Sequence, residues 1–244
     1  MFLSRRTTQE EYFDSERPID EVAVFFKSLN RVNRFFDFAE PFRNLLPKLL
    51  TPLQCRSLTI LDVGAGDGTL GKIMESWAQE QGWSWRVINL DMSMAALSLV
   101  SGGSNVVGSA TRLPFQTGSV DVVIASQMAH HLSDGDVTLL LGEAWRVASR
   151  VVLVCDLHRN AGLYIALKLL FCFQSHSAVF KADALLSVKK AWRVKDLAEL
   201  ARAAGLRPTV KLYFGARVIL HATKGADQRR STRARIDSSA QATR

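Results

Sequence analysis

Two acids and three closely spaced glycines mark where this chain can do chemistry. The run Leu61-Asp62-Val63-Gly64-Ala65-Gly66-Asp67-Gly68 follows Leu58 and Ile60 and precedes Leu70, Ile73, Met74 and Trp77 at helical spacing. It reads as a strand, a glycine turn and a helix that starts near Thr69. Glycines at such a turn let the backbone come close to a ligand and take dihedrals that a Cβ forbids. Trp85-Arg86-Val87-Ile88-Asn89-Leu90-Asp91 reads as a second strand ending in an acid. Nucleotide-binding folds set a carboxylate there for ribose hydroxyls. A dinucleotide turn would be G-x-G-x-x-G, but Thr69 stands where the third glycine belongs. Asp62 and Asp67 would also repel a pyrophosphate at the helix N-terminus. They suit a ligand that carries an ammonium and a sulfonium instead.

S-adenosylmethionine is such a ligand. The motif resembles the first motif of class I S-adenosylmethionine-dependent methyltransferases, an acid followed by G-x-G-x-G. Other segments resemble that family in order. Val106-Val107-Gly108-Ser109-Ala110-Thr111-Arg112-Leu113-Pro114-Phe115 is similar to the segment after its third strand, with Ser109 in place of an acid that meets the adenine amine. Ser119-Val120-Asp121-Val122-Val123-Ile124-Ala125 is similar to the fourth strand, and the loop from Ser126 to Leu132 follows it. Glu143-Ala144-Trp145-Arg146-Val147 matches the end of the next helix, and Arg150-Val151-Val152-Leu153-Val154-Cys155 the fifth strand. The resemblance covers residues 57–222. It implies a Rossmann-like α/β fold, a seven-stranded, mostly parallel sheet flanked by helices. It also implies S-adenosyl-L-methionine as cofactor, held by Asp62, Gly64, Ala65, Gly66, Gly68, Asp91, Met92, Ser109, Ala110 and Ser126. Glu11-Tyr12-Phe13-Asp14 and Asp156-Leu157-His158-Arg159 loosely resemble bacterial small-molecule methyltransferases encoded near polyketide synthases. The loop at His131 is similar to that of quinone-pathway methyltransferases.

A sulfonium methyl is already electrophilic, so the protein must mainly align an acceptor and exclude water. A hydroxyl acceptor gains from a base near neutral pKa, for which histidine is suited. His130, His131 and His158 all fall at C-terminal ends of expected strands. His131 is the foremost, because Ser133 or Asp134 just after it can cap a helix. Each histidine taken alone could equally pack or face solvent. The expected activity is methyl transfer to a small hydrophobic or aromatic acceptor, at a hydroxyl oxygen. A catalytically silent S-adenosylmethionine-binding protein and a methyltransferase acting on RNA stay open. A nicotinamide-dependent oxidoreductase is disfavoured by the glycine spacing and the acid pair.

Certain elements must position these residues. Residues 1–54 read as an N-terminal helical cap, with helices over residues 20–29 and 31–50 rich in phenylalanine and interrupted by Pro41, Pro47 and Pro52. The cap could cover the substrate or pack on the sheet edge. Residues 55–224 form the methyltransferase domain. Within it, Asp156, His158 and Arg159 follow the fifth strand, where open α/β sheets bind ligands, and suggest an acceptor site. Residues 162–173 are apolar on nearly every side. They suit a lid or a core helix better than a membrane-surface helix, since Lys168 alone offers a cationic flank. A last amphipathic helix over residues 196–204 stops at Gly205, and a hairpin turns about Gly215.

The chain has 244 residues, 48% hydrophobic and 22% charged, which suits one α/β domain with a full core. Its net charge is +8, and Arg229, Arg230, Arg233, Arg235 and Arg244 lie in the tail, residues 225–244. That tail has almost no large apolar residue and is expected to be disordered. No signal peptide is read at the N-terminus, and the longest apolar run is too short to span a bilayer. Cys55, Cys155 and Cys172 lack metal-ligand spacing, so a reduced, cytoplasmic protein without a metal is expected, as monomer or homodimer. The loop after the fourth strand has no Asn/Asp-Pro-Pro-aromatic tetrad and no Pro-Cys nucleophile. A polynucleotide substrate therefore ranks below a small molecule.

Overall fold

A computed structural model describes residues 3–225 of the chain. The basic tail, except for Gly225, lies outside the described residues. Seven strands form one sheet: β1 (Ser57–Val63), β2 (Ser84–Asp91), β3 (Ser104–Val107), β4 (Val120–Ser126), β5 (Ala148–Leu157), β6 (Thr209–Tyr213) and β7 (Arg217–Thr223). Their order is β3-β2-β1-β4-β5-β7-β6. Neighbours among the first five are parallel, and β7 runs antiparallel to both β5 and β6.

The central strands are apolar throughout because both faces of the sheet are covered. Side chains alternate between faces along each strand. Leu61, Val63, Val123, Ala125, Val152, Val154 and Leu220 join one core, and Ile60, Val122, Ile124, Leu153 and Ile219 join the other. The helices are α1 (Ile19–Phe35), α2 (Glu40–Leu49), α3 (Pro52–Cys55), α4 (Thr69–Glu80), α5 (Met94–Leu97), α6 (Asp134–Val147), α7 (Ala161–Phe173), α8 (Ala178–Lys190) and α9 (Val194–Ala203). A third apolar cluster joins α1, α7 and α8 through Val32, Leu163, Leu167, Phe171, Phe180 and Val188. Among the described residues no helix is long and apolar enough to cross a membrane.

The N-terminal region differs from its sequence reading. Helix α1 runs straight through Asn30, where a break was expected, and ends before Asp37, whose φ is +42°. Two of the three prolines start helices rather than stop them. Pro41 and Pro52 lie in the first turns of α2 and α3, where an amide is unsatisfied anyway. Pro47 sits within α2 near its end, and the helix continues to Leu49. Helix α8 has no counterpart in the sequence reading, because Asp183, Ser187 and Lys190 are buried along it and blur its apolar period. Its one plain signal is Ser177, whose hydroxyl caps the Phe180 amide.

Candidate active site

The carboxyl ends of β1, β2 and β4 meet at the glycine turn. Gly64, Gly66 and Gly68 all have positive φ, at +73°, +57° and +71°, so the backbone path depends on residues without a Cβ. The Gly64 and Ala65 amides donate to the Leu90 carbonyl at 2.8 and 3.0 Å. The Asp91 carboxylate accepts from the Gly66 amide and from the Ser93 amide, both at 2.8 Å. Asp91 therefore shapes the turn as well as facing it.

Asp62 is 1% exposed, and neither of its carboxylate oxygens has a hydrogen-bond partner among the described residues. Burial, with Asp91 close by, pushes its carboxyl up to about 8. The Ser126 hydroxyl is likewise buried without a hydrogen bond. Buried polar groups are nearly always satisfied, so such orphans point to a missing ligand group. A carboxylate of this kind beside a glycine turn fits the ammonium of S-adenosylmethionine. Met92 is 71% exposed and Ala110 is buried. The segment that holds Ser109 lies against β2, as the Gly108 amide donates to the Asp91 carbonyl at 3.0 Å. The Ser109 hydroxyl hydrogen-bonds with the Thr111 hydroxyl at 2.9 Å and accepts from the Thr111 amide at 3.3 Å. It is thus engaged within its own turn.

Helix α1 lies over this turn. A Cβ at Gly66 would stand 2.5 Å from the Phe26 ring, and one at Gly64 would stand 2.7 Å from the Met128 side chain. The Asn30 amide donates to Asp67 at 2.6 Å and to the Thr69 hydroxyl at 3.1 Å. The Gln127 side chain donates to Asn33 at 3.0 Å. None of these five residues was expected at the site. Their sequence signal is that Phe26, Asn30 and Asn33 fall on one helical face.

The histidine pair is assembled from three distant segments. His130 is buried, its Nδ1 is 2.6 Å from Asp156 Oδ1, and its amide donates to Asp156 Oδ2 at 2.9 Å. Burial alone would raise the Asp156 carboxyl, but His130 and the Leu157 amide hold it below its ordinary value. His131 stacks beside His130 with ring centroids 4.2 Å apart, and its side chain is 34% exposed. Its Nδ1 bonds Asp14 Oδ1 at 2.5 Å, and Asp14 Oδ2 accepts from Lys190 Nζ at 2.7 Å and the Glu11 amide at 2.8 Å. Against the upward push of burial, His131 and Lys190 hold the Asp14 carboxyl far below the usual range. Burial raises the Glu11 carboxyl. Donor atoms of Glu11, His130 and His131 lie within 4.8 Å of one another, and Lys190 Nζ, 3.5 Å from Glu11, supplies positive charge to the group.

The loop after β5 is not the open acceptor site that its sequence suggests. Asp156 is fully buried under His130, and Arg159 is buried too, donating to the Ala191 carbonyl at 2.6 Å and to Asp196 at 3.0 Å. His158 keeps different company from the histidine pair. Its Nδ1 lies 3.3 Å from the Gly215 carbonyl and 3.0 Å from Asn160 Nδ2, and burial lowers its pKa.

Residues 61–152 match a family model described as a methyltransferase domain. The fold is that of class I S-adenosylmethionine-dependent methyltransferases. Solved structures similar to this chain agree in fold. A SAM-dependent methyltransferase from Aquifex aeolicus is 14% identical with a TM-score of 0.58, over 85% of this chain and 99% of that one. Magnesium protoporphyrin IX methyltransferase from Synechocystis, solved with bound SAH, is also 14% identical with a TM-score of 0.53, over 88% and 91%. A structure of the Haloferax volcanii Trm112 methyltransferase activator in complex with a methyltransferase matches at 15% identity and a TM-score of 0.56, over 86% and 100%. No curated protein matches the sequence.

Proposed function

We propose that this methyltransferase methylates a hydroxyl oxygen of a small apolar or aromatic acceptor, with His131 as general base. S-adenosylmethionine, when bound, supplies an electrophilic methyl group. Asp62 and Ser126 offer it unsatisfied polar atoms, Gly64, Ala65, Gly66 and Gly68 a turn of small residues, and Asp91 a carboxylate. Met92, Ser109 and Ala110 flank that place on the β2 and β3 side.

One observation supports the base role above the others. The Asp14 carboxylate takes up His131 Nδ1, which leaves Nε2 to accept a hydroxyl proton. His130 is too buried for that part and instead holds the loop through Asp156. His158 is the weaker choice, because Asn160 and the Gly215 carbonyl already engage it. The acceptor class is supported by aromatic side chains between the pair and the glycine turn. Phe13 next to Asp14 packs on Phe25 at 4.1 Å between centroids, Phe25 on Phe26 at 5.5 Å, and Phe26 on Gly66.

Cell extract incubated with the protein and a deuteromethyl cofactor, read by mass spectrometry, identifies the acceptor. The expected product is a compound whose hydroxyl has become a deuterated methyl ether. With that acceptor, His131→Ala should lower turnover by about 10²-fold or more. Its affinity for S-adenosylhomocysteine, from calorimetric titration, should barely change. Asp14→Asn should lower turnover less and shift its pH profile, since the ring loses its orienting carboxylate. Label on nitrogen or carbon, or a loss of only a few-fold in His131→Ala, would overturn this assignment.

A further inference from the structure

Helix α7 is apolar on two opposite faces. Leu163, Leu167 and Phe171 are buried against α1 and α8, while Ile165, Leu169 and Phe173 are 55%, 57% and 88% exposed. Those three recur every fourth residue and form one stripe along the outer side. A surface helix ordinarily turns a polar face to water, yet the only charge in α7 is Lys168. The expected lid or core helix thus describes only its inner face. Val179, at the start of α8, extends the exposed apolar surface past the turn.

Along α7 and the turn that follows it, the charges have one sign. No acid occurs between Asp156 and Asp183, whereas Lys168 and Lys181 do. Arg31 of α1 reaches the α7–α8 turn, where it donates to the Ser175 carbonyl. Lys181 donates to the Phe171 carbonyl, which holds its ammonium at the end of α7.

We propose that the outer face of α7 docks this methyltransferase on an anionic membrane surface. Ile165, Leu169 and Phe173 enter the boundary between headgroups and acyl chains, and Lys168 and Arg31 meet the headgroup phosphates. At 13 residues α7 is about 20 Å long, too short to span, so it lies along the interface. A second copy of the chain suits this face less well. A two-fold contact along the stripe would set Lys168 and Arg31 against the same cations of the other copy. The docking itself does not depend on the acceptor chemistry proposed above.

Flotation of the full chain with vesicles tests this directly. Vesicles of phosphatidylcholine with about 30 mol% phosphatidylserine should carry the protein, and pure phosphatidylcholine should carry at least about tenfold less. A Leu169→Glu/Phe173→Glu double variant should lose at least about tenfold in binding, with an unchanged melting temperature, since both side chains are exposed. Deleting residues 226–244 should preserve most of the binding. Binding that survives the double variant, or that vanishes when the tail alone is removed, overturns the assignment to α7. So does an absence of vesicle binding, and a dimer that the double variant dissolves would then make the occupant a second copy.

Discussion

At the scale of single residues, Asp62 is buried with both carboxylate oxygens unpartnered among the described residues. Its raised pKa means that the folded protein keeps a proton there below about pH 8. A ligand ammonium needs the ionised form, so binding must release that proton at neutral pH. Affinity for S-adenosylhomocysteine should therefore tighten by up to about tenfold per pH unit as pH rises toward 8, then level off. Stability should move the other way. The unfolded carboxyl titrates near its ordinary value of 3.8, so between there and about 8 the folded state binds more protons and loses stability as pH rises. Asp62→Asn should flatten both dependences. Calorimetric titrations across that range check the first, and an affinity that ignores pH would mean that no cation meets Asp62. The glycine motif and both flanking acids were legible in the sequence because their chemistry is local. That Ser109 would bond Thr111 was not legible, since it depends on how a turn closes.

Helix α1 is the element with most to say about access. Asn30 ties it to Asp67 and Thr69, and Phe26 rests on Gly66 so closely that a Cβ there would stand 2.5 Å from its ring. A ligand that approaches Gly66 closely must move that ring. Phe26→Ala should raise the association rate of S-adenosylhomocysteine several-fold in stopped-flow measurements, and Asn30→Ala should do so to a lesser degree. An unchanged or slower rate in both variants would show that α1 does not gate the site. The sequence showed aromatic residues at helical spacing here and left open whether they covered substrate or packed on the sheet edge. It set the break at Asn30, where a polar run interrupts the aromatics, but Asn30 and Asn33 of that run lie on the face turned toward the site.

For the molecule as a whole, the N-terminal segment before α1 acts as a staple. The Arg6 guanidinium lies 3.6 Å from the centre of the Trp192 ring, donates to the carbonyls of His130, Leu132 and Lys190, and pairs with Asp134. It thereby joins the loop after β4 to the end of α8. Arg6→Ala should cost about 2 kcal/mol, since it leaves partly buried carbonyls without a charged donor. For a chain of this size that is about 4–8 °C in melting temperature. An unchanged Tm in thermal unfolding would show that the staple bears no load.

Read from the chain alone, the strand–glycine–helix turn, the acid ending β2, the parallel strands and the closing hairpin were all recoverable. Each is written in residues within one or two turns of each other, where glycine dihedrals and apolar periods act. The partners of the histidines were not recoverable. Asp14 and Glu11 lie more than 100 positions before His131, and Lys190 nearly 60 after it, and only packing of α8 beside the loop after β4 brings them together. Likewise Asp156 looked like an open acid at a strand end, and became a buried anchor for His130 once β7 paired with β5 and α8 closed above. Burial belongs to the assembled molecule, because it depends on what covers a residue and not on what adjoins it in sequence.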